Sequence, residues 1–266
     1  MITETLLALV AAGAGGIAIA QWKRSAIYTR LNDRIAATGS ASRIDFGSIL
    51  QRPLPTFTQR LAQVHDALPA ETLAELRNQA LSLVRPERSY IPTHKKGGTV
   101  AYETLFETAP LIVSLYHSRE MRTLVSHLVG EAVQPTPIND QSSLSVLFYE
   151  KPGDHIGWHY DHNFYRGRHF TVLLPVMNQG SARDGLSHAI LQAKLADVET
   201  DIATPPNSLI VFEGACVNHK VTPIKQGERR LVISMTYCTD SRASRLQAMT
   251  RRIKDVAFFG PRALWT

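Results

Sequence analysis

The chain has only two cysteines in 266 residues, Cys216 and Cys238. That is too few for a disulfide framework or a thiolate metal site, and it fits a reducing compartment. It also has no internal repeat and no low-complexity tract, which excludes solenoid and fibrous classes. Charged residues make up 20% and hydrophobic ones 44%, the balance of a globular domain with a sizeable core. The net charge is +6, yet no long basic run and no nucleic-acid recognition motif accompanies it. The excess is therefore read as a solvated basic face, and nucleic acid is not expected as a partner.

Long apolar runs are also scarce. The one candidate is residues 5–20, TLLALVAAGAGGIAIA, followed by Gln21-Trp22-Lys23-Arg24. A helix of that length spans about 24 Å against a hydrocarbon core of ~30 Å. Snorkelling by Lys23 and an interfacial Trp22 would close the gap. A membrane anchor is the working expectation, with a cleaved signal peptide, a buried helix and a Gly-rich dinucleotide turn as alternatives. As an anchor, its flank of Lys23, Arg24, Arg30 and Arg34 would put the following domain in the cytoplasm. A soluble cytoplasmic protein is the alternative. The expected organisation is an anchor and basic flank over 1–36, a linker over 37–60, and one domain over 61–266.

Within that domain, residues 68–84 have helical periodicity, and residues 109–130 read as one or two helices ending at Gly130. Residues 88–106 suggest a strand–loop–strand, either an exposed hairpin or a substrate loop. From Ser142 the pattern changes to short apolar or alternating runs: SLSVLFYE, HFTVLLPVM, HAILQA, SLIVFEG and RLVISMTY. Strands separated by turn signals predict a sandwich or barrel. The basic tail after Tyr237 reads as an amphipathic helix packed on it.

The chemistry concentrates in YEKPGDHIGWHYD, Tyr149 to Asp161. Pro152 and Gly153 suit the two central positions of a type II turn. His159 and Asp161 are two residues apart and on an extended chain point the same way, so both can meet one cation. His219 follows the apolar run Leu209-Ile210-Val211-Phe212 and is the best third ligand. Two histidines and a carboxylate on one face suit non-haem Fe(II) and oxygen chemistry. The remaining histidines carry no such pattern; His155, His162 and His169 are expected to be outer-sphere or surface residues. Trp158 and Phe164 are expected to be packing residues.

Residues 140–238 resemble the catalytic core of the Fe(II)- and 2-oxoglutarate-dependent dioxygenases, most closely the prolyl-hydroxylase-like branch. The resemblance is carried by Tyr149, Gly153, His159 and Asp161, then Arg168 through Thr171, Pro205 to Phe212, and His219, Val221, Pro223, Gly227 and Arg229. The chain departs at Asn207-Ser208, where the family has a turn glycine, and at Asp184-Gly185-Leu186, a reduced Gly-Gly element.

The resemblance implies a mainly β fold with flanking helices and a double-stranded β-helix (jelly-roll, cupin-like) core. It implies iron on His159, Asp161 and His219, with 2-oxoglutarate as cosubstrate and O2 as oxidant. Turnover would yield succinate and CO2 and hydroxylate a C–H bond. Asp161 fills the place that halogenating relatives leave for chloride. The G-x-R arginine, Arg229, would clamp the distal carboxylate of 2-oxoglutarate, with Tyr149 as a hydrogen-bond donor beside it. Alternation along the last strand also favours Arg229, whose face carries Leu231, Ile233, Met235 and Tyr237. The substrate itself is not identified by the sequence; lipid, lipid-linked and peptidyl classes are open, and an anchor over residues 5–20 would favour a lipid, lipid-linked or membrane-bound one. The competing class is a cupin-like metal protein without oxygenase activity.

Overall fold

The computed structural model describes residues 44–83, 87–88 and 95–259, together with Trp22, Ala26, Thr29, Arg30, Asp33 and Ile35. The expected anchor, residues 5–20, lies outside the described residues. Among the described residues no helix is long and apolar enough to cross a membrane.

In chain order the strands are β1 (Leu61–Val64), β2 (Glu87–Arg88), β3 (Lys95–Lys96), β4 (Gly98–Val100), β5 (Gln134–Pro135), β6 (Leu144–Tyr149) and β7 (His155–His159). They continue with β8 (His169–Gln179), β9 (Leu191–Leu195), β10 (Val198–Ile202), β11 (Leu209–Phe212), β12 (His219–Val221) and β13 (Arg229–Cys238). The larger sheet runs β1-β11-β8-β13-β6-β4-β2, with β5 added to β13, and the smaller runs β10-β9-β12-β7-β3. Neighbouring strands are antiparallel throughout. This is the double-stranded β-helix that the sequence implies.

Helices α1 (Ala70–Ser82), α2 (Tyr102–Thr108), α3 (Pro110–His117) and α4 (Arg119–Val129) share one apolar core with the larger sheet. In α4 the buried positions include Met121, Leu124, Val125 and Leu128, the spacing of a single helical face. Its start is fixed by Ser118 Oγ, which accepts from the Met121 amide at 3.1 Å, and its end by Gly130 at φ 73°.

Strand alternation then separates two cores. Leu144, Val146 and Phe148 of β6 and Leu231, Ile233, Met235 and Tyr237 of β13 join the helices. Tyr149 and Val232 join Leu173, Phe212, Leu191 and Val221 between the two sheets. Both faces of the central strands are therefore buried, and the face against the helices is the more apolar one.

Two sequence expectations change, and one strand carries little sequence signal. Within the stretch expected to be a linker, Ile44, Phe46 and Ile49 are buried in the helix-side core. Residues 88–106 are not one hairpin: β2 and β4 pair in the larger sheet, while β3 between them pairs with β7 in the smaller one. Strand β10 went unread because it is an edge strand that pairs with β9 and is mostly exposed, so it carries little apolar signal.

Asn207 explains how the chain manages without the family's turn glycine. Its φ is 68°, in the left-handed region that asparagine tolerates better than most residues. Its amide donates to the Leu68 carbonyl at 2.8 Å and accepts from the Leu68 amide at 2.9 Å, tying the turn to the start of α1. Asn207→Ala adds left-handed strain and loses both bonds, so we expect a loss of about 2–3 kcal/mol. Asn207→Gly relieves the strain and should lose about half as much. Urea unfolding of both variants checks the ranking; equal losses would mean that the side-chain bonds alone matter.

Candidate metal centre

His159 ends β7 and His219 opens β12, and the ladder sets them directly opposite each other. Each Nδ1–H donates to a carbonyl two residues back, Gly157 and Val217, both at 2.9 Å. A carbonyl can only accept, so Nδ1 carries a proton in each ring and Nε2 is the nitrogen that faces the site and can meet a metal. Those Nε2 atoms lie 3.6 and 3.8 Å from Asp161 Oδ1. Ligand atoms of the three residues lie within 4.8 Å of one another, close enough to hold one ion.

Asp161 sits just beyond β7, where its amide donates to the Gly214 carbonyl at 3.0 Å. Thr171 of β8 donates to Oδ2 at 2.5 Å and so leaves Oδ1 turned toward the imidazoles. Burial opposes ionisation of Asp161, but the His219 and His159 rings and the Thr171 hydroxyl outweigh it and hold the carboxyl far below its usual range. The residue stays an anion over the physiological range. For His219, burial dominates and favours the neutral imidazole that a metal requires.

Gly214 shapes the site from outside. A Cβ on it would lie 2.1 Å from Asp161 Oδ2 and 2.8 Å from Asp161 Cβ and Cγ. Gly214→Ala must therefore push the carboxylate aside while leaving every ligand chemically intact. We expect metal affinity to fall roughly 10–100-fold, the scale of losing a group that orients a ligand. Co(II) titration with circular dichroism as a fold control checks it; wild-type affinity would show that the Asp161 loop yields at no cost.

The triad opens on a cavity of about 200 Å3 lined by residues of both sheets. Arg229 was expected to face the barrel interior; the structure sets Arg230 there instead. Arg229 points outward, with half of its side chain exposed, and pairs with Glu150 at 2.7 Å. Arg230, only 1% exposed, enters the cavity and shares its wall with Val232, Ser234 and Thr236. Its guanidinium lies 5.0 Å from the Tyr149 ring centroid. Arg230 Nε and Nη2 and the Tyr149 hydroxyl are all buried without a hydrogen-bond partner. Buried donors left unmade are costly, so this end of the cavity is built for an anion from outside the chain. Tyr149 lines the same cavity, beside Arg230.

The neighbouring residues sort clearly. His169, expected to be outer-sphere or surface, is buried and lines the cavity, as does His162 at its rim. The Lys194 and Lys220 ammonium groups both lie over the Trp158 ring, 5.1 and 4.5 Å from its centroid. Phe164 is buried and stacks on His162. Arg168 of the R-x-x-T stretch bonds Glu213 and Glu131, outside the cavity. Glu228, between Gly227 and Arg229, accepts from the backbone amides of Ser181, His188 and Lys225 and fixes the loop before β13. Sequence reasoning set Arg230 on the outer face of the last strand and singled out neither Lys95 nor Asp140; only Arg230 had a signal, the polar face it shares with Ser234 and Thr236.

A family model described as Halogenase D matches residues 56–258, most of the chain. The chain belongs to the Halogenase D family. No curated protein matches significantly. Among solved structures, the epimerase SnoN in complex with Fe3+, alpha ketoglutarate and nogalamycin RO is 14% identical with TM-score 0.56, over 67% of this chain and 78% of that one. A 2OG-Fe(II) oxygenase family oxidoreductase from Burkholderia pseudomallei is 16% identical with TM-score 0.54, over 70% and 88%. A prolyl-4-hydroxylase from Pseudomonas putida is 20% identical with TM-score 0.47, over 69% and 94%. The first two likenesses show a fold shared between this Halogenase D family member and the 2-oxoglutarate oxygenases.

Proposed function

We propose that this protein is an Fe(II)- and 2-oxoglutarate-dependent oxygenase that hydroxylates a C–H bond. The observation that carries the reading is one cavity holding both a His-Asp-His triad and the unmatched donors of Arg230 and Tyr149. The donor chemistry fits ferrous iron, and the buried guanidinium fits a carboxylate, which it can grip with two parallel bonds. When bound, iron with 2-oxoglutarate and O2 supplies oxidative decarboxylation to succinate and CO2 and the oxidising power for the C–H bond.

The chain's own residues supply the rest. His159, Asp161 and His219 hold the metal. Arg230 takes the distal carboxylate, and Tyr149, whose hydroxyl burial keeps protonated, donates beside it. Ile156, Leu173, Phe212, Val221 and Val232 make an apolar sleeve between the two ends and keep water from the path. The family's description names a halogenase, yet here the third ligand position holds the Asp161 carboxylate, already anionic and fixed by Thr171. That supports hydroxylation over halide transfer.

The test is succinate formation by purified protein supplied with Fe(II), 2-oxoglutarate and O2. We expect slow turnover that requires all three and is indifferent to chloride. Tight binding of metal and 2-oxoglutarate with no succinate would favour the cupin-like, non-oxidising alternative.

A further inference from the structure

Lys95 has no role in the reading above, and its position demands one. Strand β3 sets it opposite Ile156 on β7, and both side chains line the cavity. Its Nζ donates to Thr99 Oγ1 at 2.9 Å, another cavity residue. Burial pulls this ammonium down to about 8, while the Asp161 carboxylate pulls the other way. An ammonium therefore shares the wall of the triad's cavity and is partly withdrawn from water there.

Counting charge in the loaded cavity isolates it. The two positive charges of ferrous iron and the one on Arg230 match the single negative charge of Asp161 and the two of 2-oxoglutarate. Histidines that hold a metal do so as neutral imidazoles, and burial favours neutral His169. The other charged wall, Asp140 and Lys254, compensates itself. Lys254 Nζ reaches Asp140 at 3.2 Å and Asp255 at 2.9 Å, and the guanidinium of Arg251 acts on both acids. Once a metal claims Asp161, Lys95 is the charge left over. An unmatched, partly buried ammonium is unfavourable, and an anionic ligand reduces that cost.

We propose that Lys95 is the anchor for an anionic group of the primary substrate, which makes the substrate a small organic acid, phosphate or sulfate ester entering beside the metal. This rests on the oxygenase reading, because the count includes iron and 2-oxoglutarate. Lys95 belongs to the substrate rather than to the cosubstrate: the distal carboxylate already has Arg230 and Tyr149.

The test uses protein loaded with Co(II), which is paramagnetic, and 2-oxoglutarate, with butyrate and butylammonium as matched probes. Proton relaxation of each probe reports binding close to the metal without turnover. We expect enhanced relaxation of butyrate and none of butylammonium. Lys95→Met should weaken butyrate by about tenfold or more, as expected for losing a charged hydrogen-bond donor. Lys95→Arg should retain most of the binding, which guards against a Met variant that fails to fold. Preferential binding of butylammonium, or butyrate binding untouched by Lys95→Met, would overturn the proposal. So would complete displacement of butyrate by an equal concentration of chloride, which would make this an inorganic anion site. A loss of 2-oxoglutarate affinity in Lys95→Met as large as in Arg230→Met would reassign Lys95 to the cosubstrate. Failure of wild-type protein to bind Co(II) or 2-oxoglutarate would instead refute the oxygenase reading itself, and it shows before any probe is added.

Discussion

Replacing His159, Asp161 or His219 with alanine is expected to abolish turnover and to lower metal affinity by more than about a hundredfold, beyond the usual cost of losing an outer partner of a ligand. The three residues are not equivalent. Removing either imidazole leaves one nitrogen donor and the carboxylate, whereas Asp161→Ala removes the only negative charge offered to a dication. Asp161 is also where Thr171 and the Gly214 loop converge, so its loss frees a buried hydroxyl as well. Asp161→Ala should therefore bind metal most weakly of the three, and Asp161→Gly should admit chloride without regaining hydroxylation. Co(II) titration and succinate assays of each variant, with thermal melts as fold controls, check this. Near wild-type affinity in any alanine variant would remove that residue from the ligand set.

The triad was legible because its chemistry is compressed into few residues. Pro152-Gly153 does make the tight turn, with Gly153 at φ 82° and the Asp154 amide donating to the Lys151 carbonyl at 2.9 Å. His219 was legible from the apolar β11 before it, which must be buried and so carries the following residue to the site. Helices α1, α3 and α4 and the main strands followed from period and punctuation for the same reason. Lys95 and Asp140 were not legible. Each comes from a different element and belongs to the cavity only through non-local pairing, β3 on β7 in the one case and the docking of α5 (Arg245–Phe259) in the other. No local period records such a meeting. Asn207 was visible as a departure from pattern, but its two bonds to Leu68 depend on where α1 packs.

Arg230→Ala is expected to weaken 2-oxoglutarate by two to three decades or more, from the about 3–5 kcal/mol lost when a buried ion pair is broken at one partner. Arg229→Ala should change it by less than about tenfold, because its partner Glu150 is also exposed. The sequence pointed to the opposite ranking, and the reason is physical. By sequence the more apolar face of β13 reads as the barrel interior, but Leu231, Ile233, Met235 and Tyr237 are buried against the helices. On the proposed function the cavity takes a dianion and a metal and needs a polar lining, and the face bearing Arg230, Ser234 and Thr236 is the one that turns inward. Strand period fixes which residues travel together; it does not say which of two buried faces holds the ligand. Arg230→Ala also empties a space beside the Tyr149 ring, so Arg230→Met serves as the variant that keeps bulk without charge. Arg230→Lys should recover part of the affinity as a point charge while losing the two-bond grip. Titration of 2-oxoglutarate into Co(II)-loaded variants reads the ranking directly. Retained Co(II) affinity in Arg230→Met shows that the triad is intact. A loss in Arg229→Ala that exceeds the loss in Arg230→Met would return the clamp to the outer arginine and require the register of β13 to slip by one residue.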